Sequence, residues 1–110
     1  MDMEYKIIRN TLIVRAAGEL DMSIADNMRK EIDKKLDNNR IKSLILNMEK
    51  VTFIDSSGLG VIIGRYKKIT SLNGRMYIVG AKKPVEKILN FSGINRLVPM
   101  YSNEQDIINL

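Results

Sequence analysis

The sequence lacks two residue types on which much enzyme chemistry depends. None of its 110 residues is a cysteine or a histidine. A Ser-His-Asp triad, a cysteine nucleophile and a thiolate or imidazole metal site are therefore excluded. In a serine–lysine dyad, Lys67 and Lys68 would lie ten and eleven residues beyond Ser57, about 15 Å along a helix. That distance is too long for proton transfer, so we expect no enzyme activity.

Other scarcities limit the class of protein. No apolar run approaches the ~18 residues of a membrane span, and the first four residues, MDME, lack the basic and apolar parts of a signal peptide. Aromatic residues make up only 5% of the chain, and the basic residues behind the net charge of +5 are scattered. We therefore expect a cytoplasmic protein that binds neither membranes nor nucleic acid directly. The 45% hydrophobic content predicts one folded domain over residues 1–110.

The hydrophobic pattern alternates between strand-like and helix-like segments, which indicates an α/β fold. Residues 5–9 and 11–19 flank Asn10 and predict a hairpin. Asp21 or Ser23 should cap a first helix that ends near Asn38 and Asn39. Further predicted elements are a strand at 43–48, a helix at 57–72, a strand at 75–79, a helix from Pro84 to Gly93, an edge strand at 97–101 and a short helix with a capping box at Ser102 and Gln105.

The most informative segment is FIDSSGLG at 53–60, which lies between the strand at 43–48 and the following helix. At such a junction the helix presents unpaired N–H groups, where a negative group is held well. A hydroxyl there is either a helix cap or an acceptor for a phosphate. Asp55, Ser56 and Ser57 are three cap candidates for one helix. Gly58 and Gly60 would each cost about 1 kcal/mol inside a helix, which favours a functional surface.

Phosphate-binding and catalytic motifs do not fit this segment. Gly58, Gly60 and Gly64 are spaced one residue too widely for the dinucleotide fingerprint, and the P-loop tripeptide is absent. No glycine stands two places before either serine, as a nucleophile elbow requires. We expect Gly60 and Gly64 to permit close packing on the sheet. Asp55 and Glu49 alone are too few ligands for a metal ion, so no metal or cofactor is predicted.

Several motifs together resemble the STAS family. They are GELD at 18–21, LNM at 46–48, FIDSSGLGVI at 53–62 and RYK at 65–67, and the likeness runs from about residue 5 to residue 110. More narrowly, the chain is similar to the anti-sigma factor antagonists of sporulating bacilli. The resemblance implies a single STAS-like α/β domain with a mixed β-sheet and helices packed mainly on one face.

The same resemblance implies a regulatory mechanism. In that family an anti-sigma factor, which is an ATP-dependent serine kinase, phosphorylates the second serine of the pair, here Ser57. A serine phosphatase removes the phosphate, and only the unphosphorylated form releases the sporulation sigma factor. The residues expected to bind the partner are Asp21, Asp55, Ser56, Ser57, Gly58 and Gly60. Two alternatives stay open: a STAS domain of another partner switch, such as a stress response, and a nucleotide-binding domain.

Overall fold

The computed structural model describes residues 2–110, with side chains from Met3 onwards. In chain order its elements are β1 (Asp2–Ile8), β2 (Thr11–Leu20), α1 (Met22–Asn38), β3 (Ser43–Ile54), α2 (Ser56–Ser71), β4 (Arg75–Val79), α3 (Lys83–Ser92), a 3-10 turn (Ile94–Arg96), β5 (Met100–Tyr101) and α4 (Glu104–Ile108). This order confirms the predicted α/β class.

The strands form one mixed sheet in the order β1-β2-β3-β4-β5. The pair β1–β2 is antiparallel, and the other three pairs are parallel. The predicted hairpin is confirmed: Ile8 pairs with Thr11 across a two-residue turn, in which Arg9 has a φ of 56°. Because β2, β3 and β4 run in one direction, their carboxyl ends meet at one edge of the sheet.

The two faces of the sheet are covered unequally. Alternate strand residues point to opposite faces. One face packs against α1, α2 and α3 and includes the buried residues Leu12, Val14, Ala25, Met28, Ile32, Leu36, Leu44, Leu46, Ile62, Ile69, Met76, Ile78, Val85 and Leu89. The smaller cluster on the other face holds Ile13, Ile45, Tyr77, Val79 and Ile107, the last from α4. Helices packed mainly on one face are therefore confirmed.

Two predicted strand boundaries were wrong. The strand predicted at 43–48 continues to Ile54, because β2 keeps pairing with β3 through two register shifts despite the exposed Glu49 and Lys50. The edge strand predicted at 97–101 is only two residues long. It is preceded by Pro99, which has no N–H and bonds β4 through its carbonyl, 3.0 Å from the Ile78 nitrogen.

The cap of the last helix also differs from the prediction. Asn103, and not Ser102, caps α4, and its side-chain oxygen accepts from the Asp106 N–H at 3.1 Å. The helix begins at Glu104, one residue after its cap. Asn and Ser are both good caps, so residue type alone could not separate the two neighbours.

Two ion-pair clusters fix the helices to their neighbours. Between α1 and α2, a carboxylate oxygen of Asp33 lies 3.1 Å from Arg65 Nη1 and 3.6 Å from Lys68 Nζ. Between α4 and the sheet, Arg15 donates two hydrogen bonds to Glu104, at 2.8 and 2.7 Å, and Asn47 donates a third at 2.6 Å. These hydrogen bonds, led by that of Arg15, hold the pKa of Glu104 below its ordinary value.

Candidate functional site

Two helices begin side by side at the carboxyl edge of the sheet. Leu20, the last residue of β2, pairs in parallel with Ile54, the last residue of β3. The Asp55 N–H donates to the Leu20 carbonyl at 3.2 Å, which extends this pairing by one step. Since an aspartate follows each strand and a helix follows each aspartate, the N-termini of α1 and α2 lie next to each other.

Asp21 caps α1. Its Oδ1 accepts from the Ser23 N–H at 3.0 Å and from the Ser23 hydroxyl at 2.5 Å. These hydrogen bonds, led by that of the hydroxyl, lower the pKa of the Asp21 carboxyl. The carboxylate therefore carries a negative charge at neutral pH beside the positive end of the helix dipole. Of the two caps predicted for this helix, the structure selects Asp21.

Asp55 caps α2 and also contacts α1. Its Oδ1 accepts from the Gly58 N–H at 3.0 Å, and its Oδ2 accepts from the Met22 N–H at 3.1 Å. One carboxylate thus satisfies backbone donors of two helices. The sequence analysis did not decide which of Asp55, Ser56 and Ser57 caps α2. The link to Met22 could not be predicted, because it depends on the register of β2 against β3.

Ser56 and Ser57 occupy the first turn of α2, directly after its cap. Ser56 is exposed and Ser57 is half-buried. Among residues 2–110, neither hydroxyl takes part in a hydrogen bond with another protein group. Because Asp55 supplies the cap, the two serines are not needed for that purpose and their hydroxyls remain available to another molecule.

The glycines of α2 differ in the space around them. A Cβ at the buried Gly58 would lie 2.4 Å from the Leu20 carbonyl oxygen and 2.9 Å from a methyl carbon of Ile54, so only glycine fits there. A Cβ at Gly60 or Gly64 would meet no atom within 4 Å. The prediction that Gly60 and Gly64 permit close packing on the sheet was therefore wrong, and Gly58 has that role instead. Gly60 is exposed, one turn beyond Ser56.

The structure brings the predicted site residues together at one edge and adds two exposed apolar side chains. Met22 is 76% exposed and Phe53 is 45% exposed. Met22 is the first residue of α1, and Phe53 lies two residues before the Asp55 cap of α2. Glu19 is exposed and pairs with Phe53 in the sheet register. The sequence analysis did not identify Met22 and Phe53 as surface groups, because residue type alone does not show whether an apolar side chain near the end of an element is exposed.

Two further features bear on chemistry. Within residues 2–110, no three residues of the types His, Cys, Asp and Glu are grouped closely enough to hold a metal ion. In the same range, the helices are all too short or too polar to span a membrane. The arrangement offers two serine hydroxyls, two carboxylates and the exposed side chains of Met22 and Phe53, which are features of a surface that another protein can bind.

Comparison with known proteins agrees with this arrangement. The STAS domain family model matches residues 2–107. An anti-sigma F factor antagonist from Paenibacillus polymyxa is 38% identical over 104 residues, which cover 94% of this chain and 89% of the relative. The solved structure of the anti-sigma factor antagonist SpoIIAA in its unphosphorylated form has a TM-score of 0.88 at 28% identity, covering 98% of this chain and 94% of the other.

A second SpoIIAA structure, of the phosphorylated Bacillus cell fate determinant, has a TM-score of 0.80 at 27% identity and covers 98% of this chain and 97% of the other. The family match spans nearly all of the described residues, and the fold agrees with that of SpoIIAA. The chain therefore belongs to the STAS domain family and, within it, to the anti-sigma factor antagonists.

Proposed function

We propose that this protein is a phosphorylation-switched antagonist in a sporulation pathway. In its unphosphorylated form it binds an anti-sigma factor, itself an ATP-dependent serine kinase, and so releases the sigma factor. Phosphorylation within the serine pair ends the interaction, and a serine phosphatase restores it. The proposed contact surface consists of Asp21, Asp55, Ser56, Ser57 and Gly60. Gly58, which was predicted to belong to it as well, is buried beneath this surface against Leu20 and Ile54.

One observation carries the proposal: the helix start has a cap that is not a serine. Asp55 binds the Gly58 N–H, so both serine hydroxyls can be modified without removing a structural hydrogen bond. The relatives support the same mechanism, since SpoIIAA is known in an unphosphorylated and a phosphorylated form. The sporulation pathway is implied by the resemblance to the antagonists of sporulating bacilli, and the Paenibacillus polymyxa relative is an anti-sigma F factor antagonist.

The two serines differ in how well each is suited to accept the phosphate. The family resemblance assigned it to Ser57. Exposure favours Ser56, because Ser56 is exposed while Ser57 is half-buried, and a kinase must bring the acceptor oxygen into line with the phosphate of ATP. Our proposal therefore covers the pair, with Ser57 as the predicted acceptor and Ser56 as its direct competitor.

Charge explains why the phosphate would end binding. A phosphoserine carries about −1.5 to −2 charges, and here it would stand next to the carboxylate of Asp55 and near that of Asp21. The N-terminus of a helix stabilises negative charge, so the fold should tolerate the modification. An interface built around a neutral hydroxyl would have to desolvate the dianion. We expect a loss of about 3 kcal/mol or more in binding, which is over 100-fold.

Two matched variants, Ser56→Ala and Ser57→Ala, test the proposal. Neither removes a cap, so each should be about as stable as the wild type, within about 0.5 kcal/mol. In transcription with purified sigma factor, anti-sigma factor and ATP, the wild type should lose its effect as phosphate accumulates. The variant without the acceptor should keep the sigma factor active, while the other variant should decay as the wild type does.

Mass spectrometry of the wild-type reaction supplies the control, because it locates the phosphate directly. A single phosphate on Ser57 would support the predicted acceptor, and one on Ser56 would move the switch by one residue. If neither serine is modified, or if both variants lose activity as fast as the wild type, the phosphorylation switch is refuted.

The alternative of a nucleotide-binding domain is disfavoured by the capped helix starts. The Gly58, Met22 and Ser23 N–H groups already bind aspartate carboxylates. A nucleotide phosphate approaching this edge would find fewer donors than an uncapped helix offers, and it would face two negative charges. Titration of the protein with ATP and with GTP should therefore give no saturable binding.

A further inference from the structure

The strand β1 forms an open edge of the sheet. It pairs with β2 on one side, and no strand among the described residues lies on the other. Ile8 and Thr11 flank a two-residue turn, so they form a hydrogen-bonded pair. Hydrogen-bonded pairs alternate with non-hydrogen-bonded pairs along an antiparallel ladder. Lys6 and Glu4 therefore also form hydrogen bonds with β2. The backbone N–H and C=O groups of Met3, Tyr5 and Ile7 consequently point away from the sheet.

This edge lacks three of the features that usually prevent strands from pairing between molecules. β1 is seven residues long, contains no proline, and pairs with β2 without a register shift. Natural sheets protect their edges with short strands, prolines, bulges or charged side chains, lysine above all, and of these β1 has only charged side chains, among them Glu4 and Lys6. Two apolar side chains near its end, Ile7 and Ile8, are each 40% exposed. The edge is therefore competent to receive another strand.

The sequence of β1 is complementary to itself. An antiparallel two-fold pair that joins the outward groups of Met3, Tyr5 and Ile7 can have its axis at Glu4, Tyr5 or Lys6. An axis at Glu4 opposes two carboxylates, and an axis at Lys6 opposes two ammonium groups. With the axis at Tyr5, Glu4 faces Lys6 of the second copy, and Met3 faces Ile7, each contact occurring twice.

We propose that the protein forms a homodimer in which β1 pairs with β1 of a second copy, with Tyr5 on the two-fold axis. Six backbone hydrogen bonds and two Glu4–Lys6 contacts join the copies into one continuous sheet. Lys6 makes no ion pair within residues 2–110, and Glu4 uses only one carboxylate oxygen, at 2.8 Å from Arg15. Both groups can therefore take part. This inference does not depend on the proposed function.

Sedimentation velocity of the full chain from micromolar to millimolar concentration tests the dimer. The mass should approach twice that of the monomer as the concentration rises. Lys6→Glu places like charges opposite each other twice and should raise the dissociation constant at least about tenfold. The double variant Glu4→Lys/Lys6→Glu restores opposite charges and should recover the dissociation constant to within about threefold. Lys87→Glu, an exposed change on α3, controls for net charge.

Amide hydrogen exchange of the wild type gives a readout that needs no variant. The amides of Met3, Tyr5 and Ile7 should exchange more slowly as the concentration rises, while those of Glu4 and Lys6, already bonded to β2, should not change. A protein that stays monomeric at millimolar concentration overturns the proposal. So does a dimer in which Lys6→Glu and Lys87→Glu have equal effects, or one whose β1 amides are unaffected.

Discussion

Asp55 satisfies backbone donors of two helices with its two carboxylate oxygens. Its position immediately before the serine pair explains why three cap-forming residues stand in a row: one forms the cap, and the other two have hydroxyls that the fold does not use. A substitution of Asp55 therefore disturbs the fold and the site together. Only variants of the serines themselves separate modification from folding.

Gly58 and Gly60 provide a matched test of how the first turns of α2 are packed. Gly58→Ala places a Cβ 2.4 Å from the Leu20 carbonyl oxygen, so we expect a loss of about 1–3 kcal/mol in the free energy of unfolding. Gly60→Ala enters open space and should gain up to about 1 kcal/mol, because alanine is the better helix former. Urea unfolding of both variants measures the two changes.

A Gly58→Ala variant as stable as the wild type would show that β2 can move away from α2 at little cost. The Gly60→Ala variant has a second use under the proposed function. If the anti-sigma factor packs against this turn, the added methyl group should weaken binding although the fold is stabilised. Equal affinity would place Gly60 outside the contact surface.

At the scale of elements, the alignment of α1 with α2 depends on Asp33. The Arg65 side chain beside it is only 11% exposed, and burial lowers the pKa of this guanidinium. Asp33→Ala would leave a largely buried cation without its partner, and we expect a cost of about 2–4 kcal/mol. Asp26→Ala removes two exposed ion pairs of the same helix, at 2.7 Å from Arg29 and 3.1 Å from Lys30, and should cost less than about 1 kcal/mol.

Thermal or urea unfolding compares these two variants, and equal losses would mean that Asp33 acts as a surface charge. Because both helix starts form the candidate site, Asp33→Ala should also weaken partner binding from a distance, while Asp26→Ala should not.

The attachment of α4 should make stability depend on pH. Hydrogen bonds from Arg15 and Asn47 lower the pKa of Glu104 from its ordinary value of 4.5. A carboxyl group whose pKa is lower in the folded than in the unfolded protein stabilises the folded state at pH values above the unfolded pKa. This stabilisation is lost as the pH falls through the pKa of the folded state. Relative to the wild type, Glu104→Gln should be less stable at neutral pH, and the difference should shrink on acidification.

Unfolding at a series of pH values from neutral to below 4.5 measures this difference. Asp106→Asn is the control, since Asp106 lies on the same helix and makes no ion pair in the part of the chain that the structure describes. A difference between Glu104→Gln and the wild type that is constant with pH would contradict the assignment.

At the scale of the whole molecule, local patterns predicted most of the fold. The helix faces followed from residue spacing, as in Ala25, Met28, Ile32 and Leu36 of α1, and Gly93 ends α3 with a φ of 85°, as its position suggested. The errors arose where pairing with a neighbour decides the outcome. β3 extends to Ile54 because β2 lies beside it, and charged residues within a strand hide this continuation.

The candidate site could be predicted in its residues but not in its connections. The segment from Asp55 to Gly60 was evident from the strand-to-helix junction. The bond from Met22 to Asp55, and the difference between Gly58 and Gly60, depend on how two distant strands are aligned. Long-range register of this kind leaves no periodic signal in one sequence.

Phosphorylation should leave the architecture of the molecule intact. A phosphate in the first turn of α2 lies at a helix N-terminus, remote from the Asp33 and Glu104 clusters. We expect phosphorylation to change the free energy of unfolding by about 1 kcal/mol or less. The midpoint of thermal unfolding should therefore lie within a few degrees of that of the unmodified protein. Chemical-shift changes should be confined to the starts of α1 and α2, and widespread changes would indicate a conformational switch instead.

The contrast between Gly58 and Gly60 has a consequence for how such switches stay separate in one cell. A side chain at position 58 would collide with the Leu20 carbonyl oxygen, so replacing this glycine lowers the stability of the fold. Position 60 is exposed near the serines, and a side chain there would contact no other part of the protein. Paralogues could therefore acquire different side chains there, each fitting its own anti-sigma factor and excluding the others, while the domain beneath stays the same. Cross-talk between pathways would then be controlled by a residue that contributes almost nothing to the core.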